Sequence, residues 1–431
     1  MLFQKKWSSK YISTLRKNAD VLIVFFLLFL SSLHLVFALR TDAYFSQDDF
    51  FLLAYFKENG IVSMVPDFIR NGDIFGFRKV LGYVNLKIIF DQFGVNSVYY
   101  LINNYILHAA NLILLYFVVK FLTTRRLVGL LSSIILNKYF FSYFSNVHEY
   151  LVLLFILISV YFFLRFPSKI YLSLSAFVLA LFTKEISVTL PFLLLGLSII
   201  KKESHKKTLP FFMVLFFYFI YQFSFIARGE IVPENQSYSI SFELSDIIAG
   251  ILHYVNPPLL AFLAITAIFS KNKKTLFILL VALMAMAPAL VFKNRHEMYY
   301  FYVPVTYLLV YISLNIPKKI GTFAVLTIFL LLAFGGRQVF PLIAWQKFPN
   351  WQKISMENVL NKIEMSLDSD SDVVEINLDS VHLERDANLM LQTSTAKLFL
   401  GESVSKYCSL SYNQGDNSVI AKKQCDNAHS P

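Results

Sequence analysis

The sequence is built largely of apolar runs near membrane-spanning length, set apart by short charged connectors. A helix needs roughly 20 apolar residues to cross about 30 Å of hydrocarbon. Eleven runs are candidates: 21–39, 98–118, 127–144, 150–164, 170–182, 186–200, 209–227, 247–270, 275–292, 299–316 and 320–335. Runs five and six are divided only by Thr183, Lys184 and Glu185. Backbone N–H and C=O groups find no partners in lipid, so runs of this kind are expected to be helices. A soluble globular core is excluded by the same arithmetic. Apolar residues make up 56% of the 431, and charged residues 16%, against about 25% in soluble domains. Disorder is excluded too, because disordered chains are poor in apolar residues.

The connectors alternate in charge. Counting from the N-terminus, every second segment is basic: Lys5 to Lys17, Lys120 to Arg126, Arg165 with Lys169, Lys201 to Lys207, Lys271 to Lys274, and Lys318 with Lys319. These hold nineteen Lys and Arg against two acids, Asp20 and Glu203. The positive-inside rule makes them cytoplasmic. The N-terminus is then cytoplasmic, and 40–97, 145–149, 183–185, 228–246, 293–298 and everything after about 336 are external. The net charge of +11 is therefore an orientation signal, and no nucleic-acid partner is expected. No small-residue cleavage site follows the first run, so it reads as a retained span.

Two external pieces are large. Segment 40–97 carries apolar patches, Phe50 to Phe56 and Val80 to Phe90, that suit helices lying in the interface. In the tail, 351–366 has helical spacing, while Val373 to Leu378 and Val404 to Tyr412 partly alternate as strands do. The expected organisation is a transmembrane domain over 1–335 and a small external α/β domain over 336–431. Cys408 and Cys425 lie in the tail. They either pair in an oxidising compartment or remain thiols.

Ionisable residues at a membrane edge are costly and often functional. They gather on the external side: Asp48 and Asp49 after run one, Arg70 and Arg78 further on, His148 and Glu149 before run four, Lys184 and Glu185 between runs five and six, and Arg295, His296 and Glu297 before run ten. A carboxylate can serve as general base on an acceptor hydroxyl. Cations can hold a phosphate and neutralise it as it leaves. Each set has a plainer reading as well. Asp48-Asp49 suits the cap of a helix starting at Phe50, Glu149 suits a helix N-terminus, and Arg70 and Arg78 suit lipid headgroups. His34, His108 and His253 lie inside runs and read as helix–helix hydrogen-bond partners. No metal-ligand spacing or phosphate-loop glycine pattern occurs, so neither a metal nor another cofactor is expected.

The stretch "TDAYFSQDDFFLLAYF" after the first span resembles the acidic motif of the C-type (GT-C) membrane glycosyltransferases. "LFTKEISVTLPFLLL" is similar to the Lys-Glu turn and Pro-bearing span of bacterial relatives of the protein O-mannosyltransferases. "NVHEYLVLLFILISVYFFLR" and "NRHEMYYFYVPVTYLLVYI" sit where that family places external loops before spans. The resemblance covers roughly residues 20–315. It implies a polyprenyl-phosphate sugar as donor, transfer on the external face with inversion, and an acidic base in the first external loop. By position the base is Asp48 or Asp49, with Asp48 preferred. Lys184 and the loop arginines would hold the donor phosphate. Protein O-mannosyltransferases usually carry Asp-Glu in the first loop where this chain has Asp-Asp, so the acceptor stays open among glycan, lipid and protein.

The expectation is thus an all-α polytopic membrane protein of about eleven helices, GT-C-like, with a small external C-terminal α/β domain. Its expected activity is mannosyltransferase-like transfer of a hexose or pentose to an acceptor hydroxyl in the bacterial cell envelope, within the membrane lipid. Catalysis would rest on Asp48 and Asp49, and substrate binding on Arg70, Arg78, His148, Glu149, Lys184, Glu185, Arg295 and His296. The rival is a transporter or flippase of lipid-linked glycans, which would place ionisable residues near the midplane of broken helices.

Overall fold

The computed structural model describes residues 2–40, 48–71, 80–139, 146–226, 243–254, 273–291 and 298–316, a few positions between 260 and 268, Gly321, and three strand segments, 373–377, 409–413 and 418–422. The described chain is predominantly helical. Its helices are α1 (Leu2–Arg40), α2 (Asp48–Glu58), α3 (Ile61–Asn71), α4 (Val80–Phe93), α5 (Ser97–Thr123), α6 (Arg126–Asn137), α7 (Val147–Arg165), α8 (Ile170–Leu181), α9 (Leu190–Lys201), α10 (Leu209–Ile226), α11 (Leu244–Tyr254), α12 (Thr275–Val291) and α13 (Tyr302–Asn315). Three stretches are long and apolar enough to cross a membrane: Asn18–Val36, Ser97–Thr123 and Val147–Arg165. Arg126–Asn137, Pro167–Leu181 and Thr275–Pro288 are shorter apolar helices. The run at 320–335 lies outside the described residues apart from Gly321.

Local chemistry explains where the long helices stop. Asn96 caps α5 by accepting from Val98 N at 3.2 Å, and Thr124 closes it in the left-handed region at φ 62°. Pro191 occupies the first turn of α9, where its missing N–H costs nothing. Helix α2 begins at Asp48 rather than at Phe50, so Asp48 and Asp49 both lie in its first turn. There they complement the positive end of the helix dipole. Two helices were expected in segment 40–97, and the described residues of that segment carry three before α5, α3 being the addition. Its strongly one-sided apolar pattern is broken by Ser63, Pro66 and Asp67, which hides it from a search for continuous runs.

Helix α5 is the central post. It packs against α1, α6 and α7, while α7 pairs with α8 and α12 with α13. In lipid the apolar effect does not drive helices together, so close packing and interhelical hydrogen bonds must do so. Both are present. A Cβ on Gly129 would stand 2.8 Å from Tyr116 O, so only glycine lets α6 approach α5 that closely. Ser132 Oγ lies 3.0 Å from Ser313 Oγ, Ser159 Oγ 2.9 Å from Ser173 Oγ, and Thr189 Oγ1 3.2 Å from Tyr307 Oη. Leu22, Phe25 and Phe29 on α1, and Phe216, Phe217 and Phe223 on α10, point outward instead. An apolar outer surface of this kind fits lipid contact.

At the opposite end of α5 from its cap, Asp20 of α1 gathers four donor contacts. Tyr116 Oη reaches Oδ1 at 2.6 Å, Lys120 Nζ reaches Oδ2 at 2.5 Å, and Arg126 reaches Oδ1 at 2.7 Å and Oδ2 at 3.3 Å. One acid of the basic segments thus clamps α1 to α5 and α6.

Strands β1 (Val373–Asn377), β2 (Ser409–Asn413) and β3 (Ser418–Lys422) form an antiparallel sheet in the order β1-β3-β2. Val373 and Ser409 both pair with Lys422, and Asn377 and Asn413 both pair with Ser418. The two expected strand regions carry β1 and β2, while β3 had no clear alternation to reveal it. The expected helix at 351–366, and Cys408 and Cys425, lie outside the described residues.

Candidate functional site

The site forms where α7 begins and α8 ends. Helix α8 stops at Leu181, and Lys184 N still donates to Ala180 O at 3.0 Å. Lys184 itself is extended, at φ −162° and ψ 144°, and leads into a tight turn over Glu185–Thr189. Ser187 donates twice to Lys184 O, by its N–H at 3.2 Å and its hydroxyl at 2.7 Å. Thr189 Oγ1 donates to Ile186 O at 2.7 Å. Short polar side chains thereby satisfy the backbone where no helix can. The lysine is held between two apolar helices with its side chain turned inward.

Its ammonium donates to Glu149 Oε1, from the first turn of α7. The Lys184 side chain is 11% exposed and that of Glu149 3%. Tyr300 and Tyr299 flank the ammonium, with ring centres 4.7 Å and 5.8 Å away, within cation–π range. Burial alone would lower the lysine's proton affinity. The Glu149 carboxylate and the nearby Tyr300 and Glu185 outweigh it, so Lys184 titrates above its ordinary value. It is an ammonium throughout the neutral range.

Segment 40–97 supplies one wall of the site. A Cβ on Gly82 of α4 would stand 1.9 Å from His148 Nδ1. Glycine is therefore what lets α4 lie flush on α7. Tyr83 then meets the His148 ring edge-on at 4.7 Å, and Leu81 N donates to Phe182 O at 3.1 Å. This backbone bond ties the loop helix to the end of α8.

A second tie fixes the tyrosine side. Tyr302, the first residue of α13, lies 2.7 Å from His108 Nδ1 and accepts from Asn111 Nδ2 at 3.4 Å. His108 Nε2 faces Asn137 Oδ1 at 3.2 Å. The amide oxygen only accepts, so Nε2 carries the proton and Nδ1 accepts from the Tyr302 hydroxyl. Asn111 also donates to Tyr150 O at 2.9 Å. His108 thus joins α5, α6 and α13, the role expected for an intramembrane histidine. The tie anchors α13 directly after Tyr299 and Tyr300.

Four of the expected site residues come together here: His148, Glu149, Lys184 and Glu185. Asp49 is buried, and it acts electrostatically on Tyr100 together with Asp91. Tyr100 Oη donates to Gly94 O just past α4, so Asp49 belongs with the far end of that helix. Arg70 is exposed in the last turn of α3. The side chain of Asp48, and Arg78, Arg295 and His296, lie outside the described residues. Sequence reasoning missed Gly82, Tyr83, Tyr299, Tyr300 and the buried Lys87, which pairs with Asp91 on α4. A cationic residue inside the apolar patch from Val80 to Phe90 was the available signal for Lys87. Nothing marked Gly82.

Among the described residues no three His, Cys, Asp or Glu side chains are grouped to hold a metal. The arrangement offers one buried cation against aromatic rings, beside a carboxylate, at the ends of apolar helices. It can hold a single anionic group whose remainder is apolar. No family model, no curated protein and no solved structure matches this chain.

Proposed function

We propose that this protein is an integral-membrane glycosyltransferase that moves a sugar from a polyprenyl-phosphate donor to an acceptor hydroxyl on the external face, with inversion. The observation that carries the reading is the buried Lys184–Glu149 pair, walled by α4 and by Tyr299 and Tyr300. A protonated lysine in an apolar, aromatic recess suits a phosphate with a hydrocarbon tail. Lys184 then holds the donor phosphate, with Arg70, Arg78 and Arg295 as further cations from the loops. Asp48 is the base, with Asp49 beside it in the chain. The phosphate leaves without needing a proton, because its charge is met by cations already in place.

The membrane topology is part of the proposal. The chain is multi-pass with its N-terminus in the cytoplasm, and 336–431 forms an external α/β domain around the three-stranded sheet. Among the described residues, charged side chains in the three spanning stretches lie near their ends, Asp20, Lys120, Glu149 and Arg165 among them, not midway along them. That disposition suits an edge-facing enzyme better than a transporter.

The test is transfer of a labelled sugar from a polyprenyl-phosphate donor by the full chain in vesicles. Lys184→Met and the double variant Asp48→Asn with Asp49→Asn are each expected to abolish product. Unchanged transfer by the double variant would remove the carboxylate base from the mechanism.

A further inference from the structure

At the far end of α7 from Glu149, cations converge on aromatic rings. Nearly the whole of α7 lies between Glu149 and Arg165, about 24 Å at a rise of ~1.5 Å per residue, close to the thickness of hydrocarbon. The Arg165 guanidinium lies 5.9 Å from the centre of the Phe121 ring on α5, and Lys201 Nζ, at the end of α9, lies 5.0 Å from the same ring. Lys169 Nζ lies 5.7 Å from the centre of the Phe166 ring. All three are within cation–π range. Arg165 ends α7, Phe166 follows it, and Lys169 closes the short turn Pro167–Lys169 that leads into α8. Lys169 N donates to Phe166 O at 2.8 Å, which holds the turn tight. Arg165, Phe166, Lys169 and Tyr171 are exposed.

Two like charges held against one ring repel each other, and an anion placed between them offsets that repulsion. Over the whole sequence the basic connectors carry only two acids, and both are engaged by other cations, Asp20 by Lys120 and Arg126, Glu203 by Lys207. We infer that Arg165, Lys169 and Lys201, set around Phe121 and Phe166, form a docking site for the phosphate of an anionic membrane phospholipid, on the membrane face opposite Lys184. The inference rests on the chain crossing the membrane and not on sugar transfer. Exposed aromatic rings beside the cations favour a lipid over a free anion. A lipid headgroup brings hydrocarbon with it, and Phe166 and Tyr171 offer apolar surface at the level where aromatic side chains collect in membranes. Basic recesses between spanning helices suit such headgroups. The bound phosphate ties α5, α7 and α9 together at one end, while α7 carries Glu149 and α9 follows Lys184 at the other.

Lipid retention tests the site. The full chain is purified in a neutral detergent and titrated with dioleoyl phosphatidylglycerol or dioleoyl phosphatidylcholine, and bound lipid is counted by native mass spectrometry. The unaltered chain is expected to hold phosphatidylglycerol the more tightly. A cation at the membrane surface is worth about fivefold in affinity. Arg165→Gln with Lys169→Gln is therefore expected to weaken phosphatidylglycerol binding about twenty-five-fold and to leave phosphatidylcholine unchanged. Phe121→Leu keeps every charge and removes the shared ring, and is expected to fall between the double variant and the unaltered chain. Lys273→Gln with Lys274→Gln removes the same charge from another basic connector and is expected to change little. An equal loss in that pair would make the effect a diffuse field and overturn the site. Equal binding of the two lipids by the unaltered chain, or displacement of phosphatidylglycerol by an equal concentration of inorganic phosphate, would overturn it as well. Failure of the unaltered chain to float with phosphatidylcholine vesicles would instead overturn the membrane reading on which the site rests.

Discussion

Two charged clusters brace this bundle, and they are built on opposite plans. At the C-terminal end of α5 a single acid, Asp20, is met by Tyr116, Lys120 and Arg126. At the N-terminal end of α7 a single cation, Lys184, is met by one acid and two aromatic rings. The first cluster is part-exposed, with side chains 22% to 33% accessible, whereas the second is nearly closed to solvent at 3% and 11%. The first saturates its centre on α1 with donors from two other helices, which is how a structural clamp is made. Among the described residues the second gives its cation one carboxylate and two aromatic rings, which suits the binding role proposed for it. Burial differs with the role, because charge is tolerated near water and must be paired away from it.

The contrast can be broken most severely at Lys184. Lys184→Met leaves Glu149 buried without its partner, at a cost of about 3–5 kcal/mol. The expected outcome is a large loss in melting temperature in detergent, restored in part by adding Glu149→Gln. No loss would show that solvent already reaches the pair. Gly82→Ala comes next. Its Cβ would collide with the His148 ring, and overpacking of this kind costs about 1–3 kcal/mol. Hydrogen exchange should rise in α4 and α7 and stay unchanged in α1. Asp20→Asn should do the reverse, freeing α1 while leaving α4 protected. It weakens several charge-assisted bonds at a part-exposed site, so the expected loss is about 1–2 kcal/mol.

A pH series separates the clusters further. Lys184 titrates above its ordinary 10.5 when folded. Its contribution is fully present below that value and lost only as pH rises through the higher folded one. Stability conferred by the Lys184–Glu149 pair, read from a double-mutant cycle, should be flat through the neutral range. A slope there would mean the lysine is not the charged partner described. The smallest effect is expected at the part-exposed Lys207–Glu203 pair in the turn between α9 and α10, where Glu203→Gln should cost at most about 0.2–1 kcal/mol, as for other surface ion pairs.

How much of this was legible beforehand differs between the same two clusters. Lys184, Glu149 and His148 stood out because each sits in a short connector between apolar runs, where charge is conspicuous. Asp20 stood out only as an acid among basic residues, and its partners on α5 and α6 were read as orientation signals. Gly82 was invisible, since a glycine matters there only because His148 of another helix comes to rest on it. Tyr299 and Tyr300 were two aromatic residues among many in a chain that has 24 tyrosines. Helix α2 was placed two residues late because an acidic pair reads equally as a cap or as a first turn.

The amino-acid sequence by itself determined that the chain is helical and apolar, where many of its helices lie, and on which connectors charge collects. These follow from local properties: length of apolar run, capping residue, and side-chain charge. Only the tertiary structure decided that Glu149 meets Lys184, 35 positions away, that α4 closes the site through Gly82, and that Asp20 clamps three helices. Such pairings depend on which helices pack side by side. That choice is made by shape and by the need to satisfy every buried charge, and a linear pattern does not record it.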